Sequence, residues 1–391
     1  MLLKHLTLLN FRNYLRLEMD FPPGVSVFQG SNAQGKTNLL EAIYLLATAR
    51  SPRAVAEREF INWSAQKEQL PFARLLAKIQ KGERDFQLEI VLRPKVTLPR
   101  EEKEILTQVQ KLVRINGIVR RTIDLIGQLK VVMFSPQDIE LIGGEPALRR
   151  RWLDIANSQT SQRYLKVLQY YNKVLLQRNH LLRRIAEHQA HPDELDFWDQ
   201  ELVKSGAYLI FQRQQTITEL NKLIEPIHEQ LSGGKENLRL AYRKTVGKEV
   251  DKFENVQETE QMFQEELKFN REKELARGVS LVGPHRDDLR FLLREVDMGA
   301  YGSRGQQRTI TLSLKLAEAK FILAQTKESP VLLLDDVLSE LDMERRYHLL
   351  QAVSNYQQVL ITATDLDRFL PDFLAQAAKF KVEEGRITPL N

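Results

Sequence analysis

Gly30-Ser31-Asn32-Ala33-Gln34-Gly35-Lys36-Thr37 fits the pattern Gly-x-x-x-x-Gly-Lys-Thr at every fixed position. Its context fits too. The short apolar run Gly24-Val25-Ser26-Val27-Phe28-Gln29 leads straight into Gly30, and Asn38 to Ala47 reads as a helix. Strand, glycine-rich loop, helix is the order in which successive backbone N–H groups cradle phosphates at a helix N-terminus. Lys36 is then expected to pair with the β- and γ-phosphates of ATP, and the Thr37 hydroxyl to ligate Mg²⁺.

The carboxylates such a loop requires lie far away. Val331-Leu332-Leu333-Leu334-Asp335-Asp336 is a hydrophobic strand ending in two acids, 305 residues beyond Gly30. Asp335 is expected to hold Mg²⁺, and Asp336 stands where a general base for the attacking water belongs. The two ends of the chain must therefore fold together around a large insertion.

A third element is Ser303-Arg304-Gly305-Gln306-Gln307, ahead of a helix expected to begin near Gln306. It is similar to the signature of ABC-type ATPases, with Ser303, Gly305 and Gln306 as nucleotide-binding candidates. Leu231-Ser232-Gly233-Gly234-Lys235 is closer by letters, but it leads into the strand-like Leu238 to Tyr242. Ser232 also lies 103 residues before Asp335, against 32 for Ser303. Ser339-Glu340-Leu341-Asp342 resembles the D-loop of that superfamily. Gln137, after Phe134-Ser135-Pro136, stands where a glutamine that senses metal and γ-phosphate belongs. The strand Gln358 to Ala363 leads to Thr364-Asp365, with no switch histidine. Asp336 replaces the usual glutamate and is one methylene shorter. Both departures imply slow hydrolysis.

Around these motifs the pattern divides. Leu2–Leu8 and Leu15–Phe21 are strand candidates, and residues 72–133 are β-rich, with Asn116-Gly117 as a hairpin turn. The charged stretch from Arg100 to Lys103 reads as a solvated loop. From about Leu148 to Leu231 long helices are expected. Leu165, Leu168, Leu175, Leu182 and Ile185 form a coiled-coil-like seam. His191-Pro192-Asp193 breaks it, and Gly233-Gly234 ends the second helix. Residues 149–190 carry net charge +7 and residues 193–231 carry −5. Either the two helices pair electrostatically, or Arg149, Arg150, Arg151, Arg163 and Lys166 face a phosphate backbone.

Composition sets loose bounds. The 391 residues suggest about two domains. The net charge of +5 permits nucleic-acid binding without requiring it. With no cysteine, thiolate nucleophiles, disulfides and zinc–thiolate sites are excluded. No signal-like leader and no long apolar span are present, so a soluble cytoplasmic protein with no membrane partner is expected.

With these residues in place, the chain resembles the RecF family of bacterial recombination-repair ATPases. The resemblance rests on Asn10-Phe11-Arg12-Asn13-Tyr14, Gly30–Thr37, Phe134-Ser135-Pro136 with Leu148-Arg149-Arg150-Arg151, Gly283-Pro284-His285-Arg286-Asp287-Asp288, Ser303–Gln307, and Leu334-Asp335-Asp336-Val337 with Ser339–Asp342. It implies an α/β fold. An ABC-type P-loop ATPase head is assembled from residues 1–133 and 278–391. Residues 134–277 form an inserted helical lobe bearing a short antiparallel arm, with helices near 148–190 and 193–231.

The resemblance also implies an ATP-dependent clamp on DNA. ATP and Mg²⁺ would sit between two subunits of a homodimer, held by Gly30–Thr37 and Asp335 of one copy. Ser303 of the other copy would cap the γ-phosphate, and weak, DNA-stimulated hydrolysis would release the dimer. Double-stranded DNA beside single-stranded gaps is the implied substrate in gap repair, replication restart and the SOS response. RecR and RecO are the implied partners in loading recombinase. Arg12 is a candidate phosphate contact. Tyr14 packs beside the nucleotide or in the core. Arg50 and Arg53 join Arg149, Arg150 and Arg151 as candidate DNA contacts. The Gly283–Asp288 run is a family mark, with a turn bringing Arg286 near the signature as one reading. A transporter nucleotide-binding subunit and a P-loop kinase are the rival readings. The first normally has a switch histidine, and the second has no use for Ser303 at a helix start.

Overall fold

The computed structural model describes residues 1–51, 53, 56–65, 71–94, 109–234, 236–250 and 252–390. The expected loop at Arg100–Lys103 lies outside them. The first half runs β1 (Leu2–Phe11), β2 (Tyr14–Asp20), β3 (Gly24–Gln29), α1 (Lys36–Thr48), β4 (Ala73–Lys81), β5 (Arg84–Pro94), β6 (Val109–Ile115), β7 (Ile118–Arg120), α2 (Thr122–Leu125) and β8 (Val131–Phe134). Helices follow: α3 (Glu140–Gly143), α4 (Pro146–Thr160), α5 (Gln162–Ala186) and α6 (Leu195–Ser232). Next come β9 (Leu238–Arg243), α7 (Val256–Arg277), β10 (Asp288–Leu293), β11 (Val296–Asp297), α8 (Met298–Tyr301) and α9 (Arg304–Thr326). The chain closes with β12 (Val331–Asp335), α10 (Met343–Ser354), β13 (Gln358–Ala363), α11 (Pro371–Ala375), β14 (Ala378–Glu383) and β15 (Arg386–Pro389).

These elements form two compact units, Met1–Asp138 with Glu318–Asn391, and Ile139–Ala317. The division does not follow the expected boundaries at 133/134 and 277/278. Residues 278–317 pack with the helical unit, because β10 pairs with β9 and β11 in one antiparallel sheet.

The first unit holds two six-stranded sheets. One is an antiparallel sheet in the order β2-β1-β4-β5-β6-β7. The other runs β15-β14-β3-β13-β12-β8, parallel apart from β15. Helix α1 is apolar on nearly every side and almost entirely buried, as a helix packed between two layers must be. Its Leu39, Leu40 and Ile43 share a core with Leu6, Leu75 and Ile90 of the first sheet and Leu333 and Leu360 of the second. Asn116 (φ 52°) and Gly117 (φ 77°) both take positive φ, the turn that joins β6 to β7.

The second unit is a helical body. Where one long first arm helix was expected, the structure has a break at Ser161. That residue is extended (φ −138°) and its hydroxyl accepts from Tyr164 N, so it caps a new helix, α5. The arm is also not a bare pair. Helix α7 packs against both α5 and α6, and Tyr171, Val174, Leu202, Ile210, Phe263 and Leu267 form one core. Charge reinforces it. Arg178 of α5 is buried and donates to Asp199 of α6 at 2.6 Å, Glu274 of α7 at 2.6 Å and Ser280 Oγ at 2.6 Å. The opposite charges of the two arm stretches are thus partly used between helices. Helix α6 has 38 residues, a length of about 57 Å, and ends at Gly233 in the left-handed conformation.

Candidate nucleotide-binding site

The parallel sheet gathers the chemistry at one edge. Strands β3, β13, β12 and β8 are neighbours running the same way, so their carboxyl ends coincide. Gly30 follows β3, Thr364-Asp365 follow β13, Asp335 ends β12, and Gln137 follows β8. Ligands of parallel α/β sheets bind at that edge.

The loop is shaped by what its glycines lack. A Cβ on Gly30 would lie 2.3 Å from the carbonyl oxygen of Val382 in β14. Gly35 has φ 115°, and a Cβ there would strike the Asn13 amide at 2.5 Å. The turn between β1 and β2 grips the loop from beneath. Asn13 Nδ2 donates to Gln34 O at 3.0 Å, and the buried Tyr14 hydroxyl donates to Gly35 O at 3.0 Å. Tyr14 is thus a core residue whose phenol supports the loop, and burial raises its pKa. From the other side Glu384 N donates to Gln34 Oε1 at 2.7 Å and Gly385 N to Gln34 O at 3.1 Å. Ser31, Asn32 and Ala33 form the crest, with Ala33 at φ 66°.

Lys36 opens α1 and folds back over the loop, donating to Gly30 O at 2.6 Å and Ser31 O at 2.8 Å. Burial lowers its pKa, while Asp336, Asp335 and Asp365 act to raise it, so the ammonium faces a cluster of acids. Thr37 Oγ1 donates to Asp335 Oδ1 at 2.9 Å, and Thr362 Oγ1 in β13 donates to the same oxygen at 2.9 Å. Burial raises the Asp335 pKa; the Thr362 and Thr37 bonds and the nearby Arg53 charge oppose it. Asp336 is in the left-handed conformation (φ 50°), uncommon for a non-glycine residue. Its N–H donates to Thr362 Oγ1 at 3.0 Å, which ties the residue after β12 to β13. Ser339 Oγ ties to Asp336 O at 2.6 Å, and Asp342 caps α10 by accepting from Arg345 N at 2.9 Å.

These residues fit a magnesium nucleotide. Side chains are kept out of the loop by close backbone and amide neighbours, and the loop opens a 13-residue helix. The donors Thr37 and Asp335 are hard oxygens of the kind magnesium takes together with phosphates.

The second unit holds the candidate signature. Ser303 Oγ accepts from Gln306 N at 3.2 Å while Gln306 Oε1 accepts from Ser303 N at 3.1 Å, a reciprocal helix cap. Helix α9 therefore starts at Arg304, two residues earlier than expected, with Ser303, Arg304 and Gly305 exposed. Ser232-Gly233-Gly234 is instead a helix C-terminus, where carbonyls rather than N–H groups point outward.

A family model described as "RecF/RecN/SMC N terminal domain" matches residues 2–372. The "DNA replication and repair protein RecF" of Herpetosiphon aurantiacus is 47% identical over 397 aligned residues, covering 100% of both chains. The chain belongs to the RecF family. The protein of the same description from Chloroflexus aurantiacus is 45% identical, covering 99% of each chain. Among solved structures, "the recombination mediator protein RecF-ATPrS in RecFOR pathway" is similar at 32% identity with a TM-score of 0.85, covering 100% of this chain and 98% of that one. An Smc head domain from Pyrococcus furiosus shares only the fold, at 14% identity and a TM-score of 0.52. The fold is that of an ABC-type ATPase head.

Within this RecF-family chain, several expected contacts take other roles. Arg12 is turned inward. Its Nε and Nη2 each donate to the buried carboxylate of Glu41 at 2.9 Å, and Nη1 donates to Glu59 O at 3.0 Å. A guanidinium so engaged supports α1 rather than a phosphate. Arg149 is buried and forked onto Asp288 at 2.7 and 3.0 Å, with Nη1 donating to Gly144 O at 2.7 Å. Arg150 Nη1 donates to Asp287 O at 2.7 Å. Arg149 is an internal brace, and the half-buried Arg150 is engaged through one nitrogen. Arg151 is half-buried, whereas Arg50 and Arg53 are exposed. Arg163 lies over the Tyr208 ring at 4.7 Å.

The Gly283–Asp288 run is the polar hub of the helical unit. Asp287 is fully buried and accepts from Tyr242 Oη at 2.5 Å, Thr245 N at 2.8 Å and Thr245 Oγ1 at 2.9 Å. Burial raises its pKa, against the pull of Arg213 and these bonds. Arg213 donates to Pro284 O at 2.6 Å and forks onto Asp154. Arg286 donates to Ser280 O at 2.9 Å through Nη2, so it does not reach toward the signature as one reading had it. Sequence reasoning missed Thr362, Glu41 and Asn13. Of these only Asn13 carried a local signal, beside Arg12 and Tyr14 in a family run.

Proposed function

We propose that this chain binds and hydrolyses ATP as a DNA replication and repair protein, and that its ATP-bound form is a homodimeric clamp on DNA. The observation that carries the proposal is the bond from Thr37 to Asp335. It brings the phosphate loop and the metal strand to one point from opposite ends of the chain. The relatives' names supply the biological setting.

In this reading the N–H groups of Gly30–Thr37 and the Lys36 ammonium bind the β- and γ-phosphates. Thr37 and Asp335 hold magnesium. Gln137 and Asp336 flank the γ-phosphate, and Asp336 accepts a proton as water attacks phosphorus and the bond to the ADP oxygen breaks. Magnesium held by Thr37 and Asp335 would supply positive charge against the negative charge that develops on the phosphates. Ser303, Gly305 and Gln306 of a second copy present the start of α9 to the γ-phosphate, so ATP binds best where two copies meet and shifts the population to dimer.

Hydrolysis is slow, because Thr364-Asp365 stand where a switch histidine would act and Asp336 is a short base. Arg50 and Arg53 are the proposed phosphate contacts to double-stranded DNA beside gaps. DNA stimulates the weak ATPase, and RecR and RecO join it in loading recombinase; a solved relative is named within the RecFOR pathway.

The test is solution mass by light scattering, without nucleotide and with ATP–Mg²⁺, for wild type and Ser303→Arg. ATP should double the wild-type mass and leave the variant monomeric. A wild type that binds ATP yet stays monomeric, with or without DNA, would overturn the two-copy site.

A further inference from the structure

The cap that shapes the signature is itself held from behind. Gln306 Oε1 accepts from Ser303 N, and Gln306 Nε2 donates to Glu236 Oε1 at 2.8 Å. Glu236 follows the glycine pair that ends α6, 70 residues before Gln306. Its other oxygen lies 3.4 Å from Nε2 of His228, a residue of α6 with no exposed surface. His228 Nδ1 lies 2.9 Å from Ser313 Oγ, which donates to Thr309 O at 2.8 Å, both within α9. Hydrogen bonds thus join Glu236 through Gln306 to the first residue of the signature, while His228 packs beside Glu236 at an ion-pair distance and is hydrogen-bonded to α9 through Ser313.

The chemistry of these bonds has a direction. A carboxylate only accepts, so it fixes which end of the Gln306 amide faces it. The NH₂ turns to Glu236, leaving Oε1 for the Ser303 N–H, which only donates. The opposite orientation would set NH₂ against N–H and lose both bonds. A hydrogen bond to an ionised acceptor is also about twice as strong as one between neutral groups.

We propose that Glu236 is a positioning residue for the signature. It sets the Gln306 amide and, through it, the Ser303 backbone that meets the nucleotide of a second copy. The proposal rests on the reading of Ser303 given above. Glu236 itself touches no nucleotide in this scheme. Its effect appears only when two copies close on ATP.

Four proteins test it: wild type, Glu236→Gln, Glu236→Ala and Glu236→Lys. Each is titrated by light scattering at saturating ATP–Mg²⁺. ATP affinity of the dilute monomer and melting temperature are measured alongside. Glu236→Lys presents only donors and turns the amide around. Its dimerisation should weaken about tenfold or more, the scale of one lost charge-assisted bond. Glu236→Ala should fall between, and Glu236→Gln, whose carbonyl still accepts, should stay near wild type. Monomer ATP affinity should not move. In a Gln306→Ala background, Glu236→Lys should add nothing further.

The proposal fails if the Lys and Ala variants dimerise like wild type. It also fails if Gln is as damaging as Lys, or if the loss persists undiminished without Gln306. Ser303→Arg run in parallel separates the two ideas. If Ser303→Arg also dimerises, the reading of the signature is wrong. If Ser303→Arg stays monomeric and Glu236→Lys dimerises, only the role of Glu236 is wrong.

Discussion

Thr37 Oγ1 donates to Asp335 Oδ1 at 2.9 Å across 298 residues of sequence. Asp335 also accepts from Thr362, so one buried oxygen joins three elements: α1, β12 and β13. Asp335→Asn keeps the size of the side chain and removes its charge. We expect phosphate release to fall about 100-fold or more, the scale of losing a metal's anchoring charge at a reacting phosphate. The melting transition should change far less. Near-normal phosphate release would show that the metal carboxylate lies elsewhere.

Gly30→Ala places a Cβ 2.3 Å from Val382 O, a backbone atom in the strand that pairs with β3. Since neither strand yields without loss of pairing, the cost is that of overpacking, about 1–3 kcal/mol. Chemical denaturation should show it as a lower midpoint. An unchanged midpoint would mean that β14 moves aside freely.

His285 gives the helical unit a pH dependence of known sign. Burial lowers its pKa to about 4 from 6.5, against the pull of the Ser280 carbonyl. The neutral ring takes its proton on Nε2 toward Ser280 O, while Nδ1 accepts from Tyr171 Oη at 2.6 Å. A depressed folded value contributes stability that is full above pH 6.5 and lost as pH falls toward 4. The loss is about 1.4 kcal/mol per unit, or roughly 2–3 kcal/mol by pH 4.5. Asp287, whose pKa is raised, works in the opposite sense. The comparison of wild type with His285→Gln isolates the histidine: the variant should unfold with a flatter pH profile between 6.5 and 4. Parallel profiles would refute the assignment.

The arginines separate by salt dependence. Arg53→Ala removes an exposed charge, and a lost phosphate contact reduces the slope of log affinity for duplex DNA against log salt by about 0.9. Arg149→Ala should leave that slope alone and destabilise the helical unit, because Asp288 loses the fork that pairs it. A changed slope for Arg149 with unchanged stability would reverse the assignment.

What could be read in the sequence was short-range. The loop at Gly30–Thr37, its flanking strand and helix, the apolar strand ending at Asp335 and the positive-φ turn at Asn116-Gly117 each announce themselves within a dozen residues. Ser303 was separable from the Ser232 decoy because one begins a helix and the other ends one. Arg12, Arg149 and Arg150 were not legible, since Glu41, Asp288 and Asp287, which engage them, lie from 29 to 139 residues away. A run of three arginines looks like a basic surface. On a helix, neighbours point about 100° apart, so one can be buried beside another that is not. Helix α7 went unread because charged residues dominate its sequence and its apolar stripe is thin. Ser161 carried a capping signal that the continuing leucine period concealed.

Strand β3 pairs with β13 on one side and β14 on the other, and both belong to the last 34 residues of the chain. During synthesis the strand that carries the phosphate loop emerges early and has no neighbour on either edge. At about 5–20 residues per second it waits roughly 20–70 s for them. A nascent chain stalled before Gln358 would have β1, β2 and β4 available to pair, yet leave a bare apolar ribbon and no nucleotide site. The strand that leads into the phosphate loop is thus completed on both edges only once Gln358–Glu383 have been made.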